Sequence, residues 1–151
     1  MGQHRRDGSK GMDKLGKMLE GENNTFWEYL GCELIAADAN EVQIALEAKQ
    51  EHTNVMGIVH GGVLTSLMDQ AMGMVSMASR NMDPCVTTNL NVHFLSPMRQ
   101  GRLEVRARIL HQGGRTITTE AEVRDSEGTL GSTSTATFRV LRTQASDSGK
   151  A

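Results

Sequence analysis

The sequence predicts an α+β fold in which an antiparallel sheet of five to six strands curls around one long central helix. Three observations point there. Residues 61–79 form one long apolar segment of helical period, strand-like alternation of period two lies on both sides of it, and tight-turn residues separate the alternating runs. The order that results is β-β-α-β-β-β-β. A lone helix cannot cover a flat sheet of that size, so the sheet must wrap around it.

Residues 1–11 and 143–151 are polar and small, and both read as flexible tails around one domain spanning 12–142. Residues 12–30 suggest a short helix and connector that pack through Phe26, Trp27 and Leu30. Cys32–Asp38 is the first strand, Ala39-Asn40 the turn, and Glu41–Ala48 the second strand, with Val42, Ile44, Leu46 and Ala48 on one face. A loop over 49–59 leads into the helix, and Asp83-Pro84 breaks the chain after it. In the next strand Val86, Thr88, Leu90, Val92 and Phe94 alternate with Thr87, Asn89, Asn91, His93 and Leu95. Leu103, Val105, Ala107 and Ile109 mark another strand, then a Gln112-Gly113-Gly114 turn. Ile117, Thr119, Ala121 and Val123 follow, and after Ser126-Glu127-Gly128 the last strand runs from Leu130 to Val140. Consecutive strands joined by tight turns must be antiparallel.

Composition narrows the class. A chain of 151 residues is long enough for one real core, and its formal charge of −2 gives no electrostatic footprint for nucleic acid. Cys32 and Cys85 offer neither a disulfide framework nor metal-ligand spacing, so no metal site is implied. The opening MGQHRRDGSKGMDK has no apolar signal segment, Arg6 stands where a myristoylation signal needs Ser or Thr, and no run is long enough to span a membrane. The expectation is a soluble, cytoplasmic protein without membrane contact.

Apolar residues at 63, 64, 67, 68, 71, 72, 74, 75 and 78 cover more than half of the helix circumference. Asp69 lies on the remaining strip with Gly62, Thr65, Ser66, Gly73 and Ser76. A solvent face normally carries Lys, Glu or Arg, so this small polar strip is expected to meet another surface or a ligand. Five of the ten methionines, Met56, Met68, Met72, Met74 and Met77, fall in or just before the helix. They suit both core filling and a deformable acyl pocket.

Asn54, His60-Gly61-Gly62 and Asp69 fall within one short window, with Asn54 and Asp69 fifteen positions apart. Backbone N–H groups at a helix start are unpaired and lie at the positive end of the dipole. Glycines there allow close approach of a ligand atom. Donors beside a lone carboxylate are what acyl hydrolysis requires: one part holds the developing oxyanion, the other activates the nucleophile. Taken singly, each residue has a plainer reading. Asn54 suits a turn, His60 a helix start, Gly61 and Gly62 close helix–strand packing, and Asp69 an exposed helix surface.

As a set they resemble the active-site signature of hotdog-fold acyl-CoA thioesterases, in the phenylacetate-degradation (PaaI-like) branch of the 4-hydroxybenzoyl-CoA thioesterase superfamily. The resemblance covers about residues 30–141. It implies that the Gly61 N–H binds the thioester carbonyl, that Asn54 polarises the same carbonyl or holds the water, and that Asp69 acts as general base or nucleophile, with the base favoured. His60 would orient the loop or touch the thioester region. A hydroxyl residue after the helix assists the water in some relatives, and the spacing from Asp69 assigns this to Thr87, with Thr88 next. Coenzyme A enters as part of the substrate, and no separate cofactor is implied. Gly62 and Arg115 are the expected contacts to it. The resemblance also implies a homodimer, with a dimer of dimers beyond it, in which loop donors of one subunit face the carboxylate of the other.

Two alternatives stay open: an acyl-CoA-binding hotdog module without turnover, and a hotdog enoyl-thioester hydratase using His52 or His60 with a carboxylate. Arg99, Arg102, Arg106, Arg108 and Arg115 form a local run of arginines. They suit either the phosphates of coenzyme A or strand-face pairing with Glu120 and Glu122.

Overall fold

The computed structural model describes residues 8–20 and 24–141. The elements are α1 (Gly8–Glu20), α2 (Phe26–Leu30), β1 (Cys32–Ala37), β2 (Glu41–Ala48), a 3-10 turn at Gln50–His52, α3 (Gly61–Ala78), β3 (Cys85–Phe94), β4 (Gly101–Gly113), β5 (Thr116–Asp125) and β6 (Leu130–Val140). From β1 onward they follow the expected β-β-α-β-β-β-β order. The strands form one six-stranded sheet in the order β1-β2-β4-β5-β6-β3, every pairing antiparallel. After α3 the chain enters the sheet at its far edge, and the hairpins of β4, β5 and β6 fill the space back to it. α3 packs against all six strands, which is the hotdog arrangement.

The core lies between α3 and the concave face of the sheet. Leu67, Met68, Ala71, Met72 and Val75 of the helix are fully buried against Val42, Ile44 and Leu46 of β2 and against Leu103, Val105 and Ala107 of β4. Burying one such aliphatic side chain stabilises the fold by about 1.5–3 kcal/mol, so the period-two pattern of β2 and β4 sets their register. Met68, Met72 and Met74 are core fillers, but Met56 is 70% exposed at the tip of the loop before the helix.

The segment ahead of β1 departs from expectation. It forms two helices, and α1 begins at Gly8, inside the stretch expected to be a tail; residues 1–7 and 142–151 lie outside the described residues. Its anchor is Leu15, fully buried, whereas Phe26 is half exposed and stacks on Tyr29 at the surface. Leu30 is buried as expected, and Trp27 packs partly against the core.

The larger correction concerns β3. The register runs Thr87 opposite Phe138, then Asn89 opposite Thr137, leaving Thr88 as an extra bulged residue. Strict alternation therefore fails. Cys85 and Thr87 face the helix side before the bulge, paired with buried Val140 and Phe138, and Leu90 and Val92 face it afterwards, paired with buried Ala136 and Ser134. Val86, expected on the face of Leu90, is turned out and 42% exposed. β3 is also an edge of the sheet, and Thr87, Thr88, Asn89, Asn91, His93 and Phe94 are all exposed.

Candidate active site

Residues 53–59 form a loop closed on itself. Thr53 and Val59 make an isolated antiparallel bridge, Asn54 N donates to the Ile58 carbonyl at 2.8 Å, and Gly57 N donates to the Asn54 carbonyl at 3.0 Å. Gly57 sits at φ 74°, a conformation that costs any residue with a Cβ. The Asn54 side-chain oxygen accepts from Met56 N at 3.0 Å and Ile58 N at 3.2 Å. Those two bonds fix which end of the amide is oxygen. Its NH2 group makes no hydrogen bond among the described residues and remains a donor for an outside acceptor.

The loop delivers the chain to α3. His60 caps that helix, its Nδ1 accepting from Gly62 N at 2.8 Å, while its carbonyl accepts from Val63 N at 2.9 Å and Leu64 N at 3.3 Å. The exposed ring therefore carries its hydrogen on Nε2 when neutral. Gly62, expected to contact the cofactor, has its N–H committed to that ring. The Gly61 N–H has no partner among the described residues. It lies at the positive end of the helix dipole. A Cβ on Gly61 would stand 3.1 Å from Phe94 Cζ, so the glycine is what lets β3 and the helix start come together. Beside it opens an apolar recess of about 260 Å³, lined by Ile58, Leu64, Phe94, Leu95, Pro97 and Met98 among others. Val59 N donates to the Met98 carbonyl at 2.8 Å, tying the loop to the recess wall.

Asp69 lies two turns into α3, half-buried, and its Oδ1 accepts from the Thr87 hydroxyl at 2.7 Å. The hydroxyl at spacing 18 from the carboxylate is thus in contact with it. Thr88 instead donates to the Thr137 carbonyl at 3.1 Å. The small-residue strip divides in two. Gly73 packs under Phe138 and buried Ser76 bonds the Met72 carbonyl at 2.8 Å, whereas Gly62, Thr65, Ser66 and Asp69 retain exposure.

Within one chain the two halves stay apart. Gly61 and Asp69 are eight positions apart along the helix, an axial distance of about 12 Å. One carbonyl carbon cannot touch both.

Four arginines of the sheet are paired with glutamates on its outer face. Arg102 pairs with Glu33 at 3.6 Å and Glu104 at 3.3 Å, Arg106 with Glu41 at 3.1 Å, Arg124 with Glu122 at 3.0 Å, and Arg108 with Glu120. A recess of about 490 Å³ on that face is lined by the Arg106–Glu41 and Arg108–Glu120 pairs with Glu122 and His93, away from the donor loop. Arg115 sits beyond the β4 turn, near the C-terminal end of α3, where Arg80 bonds the neighbouring Gly114 carbonyl at 2.8 Å. Arg99 and Arg115 have no ion-pair partner among the described residues. Burial pushes the Cys32 thiol up to about 12, and burial raises Cys85 as well, against a lowering by Arg80 and with a smaller raise from Asp83. Neither is placed to act as a nucleophile.

His52 is 9% exposed, and both ring nitrogens are bonded inside the protein. It is therefore not available as the catalytic base that a hydratase would need. Among the described residues no helix is long and apolar enough to cross a membrane.

A family model described as the thioesterase superfamily matches residues 56–132, just over half of the chain, from the loop tip through α3 into β6. Human acyl-coenzyme A thioesterase 13 is 30% identical over 81 residues, which is 53% of this chain and 58% of the human protein. The crystal structure of a phenylacetic acid degradation-related protein from Ralstonia eutropha is 32% identical, superimposes with a TM-score of 0.74, and covers 83% of this chain and 98% of that one. The PaaI protein of the Escherichia coli phenylacetic acid degradation operon shares the fold at a TM-score of 0.81 and 20% identity, covering 89% and 96% of the two chains.

Proposed function

The chain belongs to the thioesterase superfamily, and on that premise we propose that it hydrolyses a medium-chain or aryl acyl-CoA thioester, with Asp69 as general base. The observation that carries this reading is the Asp69–Thr87 pair at 2.7 Å, on the open half of a helix whose first amide, Gly61, is free. Thr87 holds Oδ1, which leaves Oδ2 to take a proton from water as the water oxygen bonds to the thioester carbon. The Gly61 N–H and the Asn54 NH2 would stabilise the oxyanion. Collapse of the tetrahedral species breaks the C–S bond, and the proton held by Asp69 passes to the sulfur. The products are a free acid and the coenzyme A thiol. His60 serves the reaction by capping the helix and so aiming Gly61. The acyl-CoA class is supported by the human relative, and the aryl option by the Ralstonia protein.

Because about 12 Å of helix separates Gly61 from Asp69, each site is proposed to take Asn54 and Gly61 from one subunit and Asp69 and Thr87 from another. The bare edge of β3, with Val86 and Phe94 exposed, is the surface available for pairing. A dimer of dimers is the proposed larger assembly. Arg115, free of ion pairs among the described residues, is the proposed contact to the coenzyme A phosphates. Two free cysteines suit a cytoplasmic setting.

The test is thiol release from a panel of short, medium, long and aryl acyl-CoAs, with and without a chelator. Release from at least one substrate, unaffected by chelation, is expected. Binding without release from any of them would replace hydrolysis by sensing. A single turnover in ¹⁸O-labelled water tests the two roles of Asp69: label on Asp69 would establish a nucleophile whose anhydride water opens at the Asp69 carbon, whereas a base puts the label only into the acid.

A further inference from the structure

The donor loop has a clamp at its neck, and the proposed reaction does not use it directly. His52 closes the 3-10 turn that precedes the loop. Its Nδ1 accepts from Lys49 N at 2.9 Å, and its Nε2 lies 2.9 Å from the Leu30 carbonyl. An N–H donor on one side and a carbonyl on the other leave one consistent state, a neutral ring with its hydrogen on Nε2. The backbone carbonyl of the same residue accepts from His60 N at 2.8 Å. One residue therefore joins three places: the end of α2, the start of the 3-10 turn, and the capping residue directly before Gly61. The Thr53–Val59 bridge then closes the loop immediately above it.

We propose that His52 is a positioning residue for thioester hydrolysis, clamping the neck of the donor loop to the end of α2 so that the Gly61 amide and the Asn54 side chain stand ready for the oxyanion. This rests on the reading of that loop as the donor half of the site. His52 touches no substrate, since both ring nitrogens are engaged inside the protein. Preorganised donors act by their placement, and misplacement by about 1 Å can cost on the order of 10²-fold in rate.

Two substitutions divide the clamp. His52→Asn keeps an acceptor near the Nδ1 position for Lys49 N but abandons Leu30. His52→Gln keeps a donor near the Nε2 position for Leu30 but abandons Lys49. His52→Leu removes both bonds. The expected result is a kcat lower by roughly 10- to 100-fold in His52→Leu and by less in the other two. KM should stay within about twofold, because the donors act on the oxyanion more than on the bound thioester. Should His52→Leu fail to fold, the Asn and Gln variants carry the test, each with one bond retained. Double variants add a readout that a purely structural role would not move. His52→Gln combined with Asn54→Ala should cost less than the product of the two single effects, because the loop is already damaged. His52→Gln combined with Asp69→Asn should be multiplicative. Unchanged kcat in folded His52 variants, while Asn54→Ala remains impaired, overturns the clamp and leaves the donor loop standing. Unchanged kcat in Asn54→Ala itself overturns the reading on which the clamp rests.

Discussion

The donor loop and the Asp69–Thr87 pair are built by opposite means. The loop is closed by its own backbone and by Asn54, and its neck is buried under His52. The carboxylate half rests on one side-chain hydrogen bond, to a residue on an exposed edge strand. The first half is closed by bonds within a single chain; the second lies open at the β3 edge. A site with one half closed and the other open would suit the proposed assembly from two copies, in which the closed loop of one would meet the open edge of the other.

Breaking the carboxylate half should have the largest effect. Asp69→Asn is expected to lower kcat by roughly 10²–10⁴, the usual range for a positioned acid–base group, with an unchanged circular dichroism spectrum. Near-normal turnover in a folded Asp69→Asn protein would falsify the mechanism. Asn54→Ala removes a carbonyl donor and two bonds that close the loop, and kcat should fall by roughly 10²–10³. Thr87→Val leaves Asp69 without its partner. A hydrogen bond to a charged group contributes about 1.5–3 kcal/mol, so a loss of about 10- to 100-fold is expected, and Thr87→Ser should restore most of it.

The contrast itself is tested by complementation. Asn54→Ala and Asp69→Ala chains, unfolded together and refolded, should recover about a quarter of wild-type sites if random pairing forms two-fold dimers. Half of the dimers are then mixed, and each mixed dimer holds one intact site. No recovery with mixed dimers confirmed by mass would place both halves in one chain. The smallest effect concerns the thiols. Burial raises both cysteines, so at pH 8 the native protein should react slowly with a thiol reagent and quickly once unfolded, where thiols titrate near about 8.5. The folded state holds these protons more tightly, so stability should fall as pH rises above about 9. Fast native labelling at pH 8 would contradict the burial.

Much of this is legible in the chain before any coordinates. Val42, Ile44, Leu46 and Ala48 alternate because one face of β2 is dry, and the same physics marks β4 and β5. Asn54, Gly61 and Asp69 stand out because small donors and a lone acid are unusual beside so apolar a helix. Other features are not legible, for local reasons. The bulge at Thr88 depends on pairing with β6, and nothing in the run Thr87-Thr88-Asn89 signals an extra residue. The pairing of Arg106 and Arg108 with glutamates needs the cross-strand register. His52 looks like a surface loop residue until α2 closes over it.

The bulge carries one more consequence. It makes the position of the Thr87 hydroxyl a matter of counting. With the pairing of Leu90 onward kept, deleting Thr88 would remove only the extra residue and leave Thr87 opposite Phe138 on the helix side, whereas pairing Thr88 with Phe138 instead would shift the beginning of β3 by one step and turn Thr87 away from Asp69. The strand thus works like a vernier, with two scales offset by a single division. The hydrophobic half, Leu90 and Val92, reads against the core, and the half containing Thr87 reads against the carboxylate. When relatives are aligned, a gap of one residue at Thr88 leaves the hydroxyl on the helix side, at the same spacing from the carboxylate.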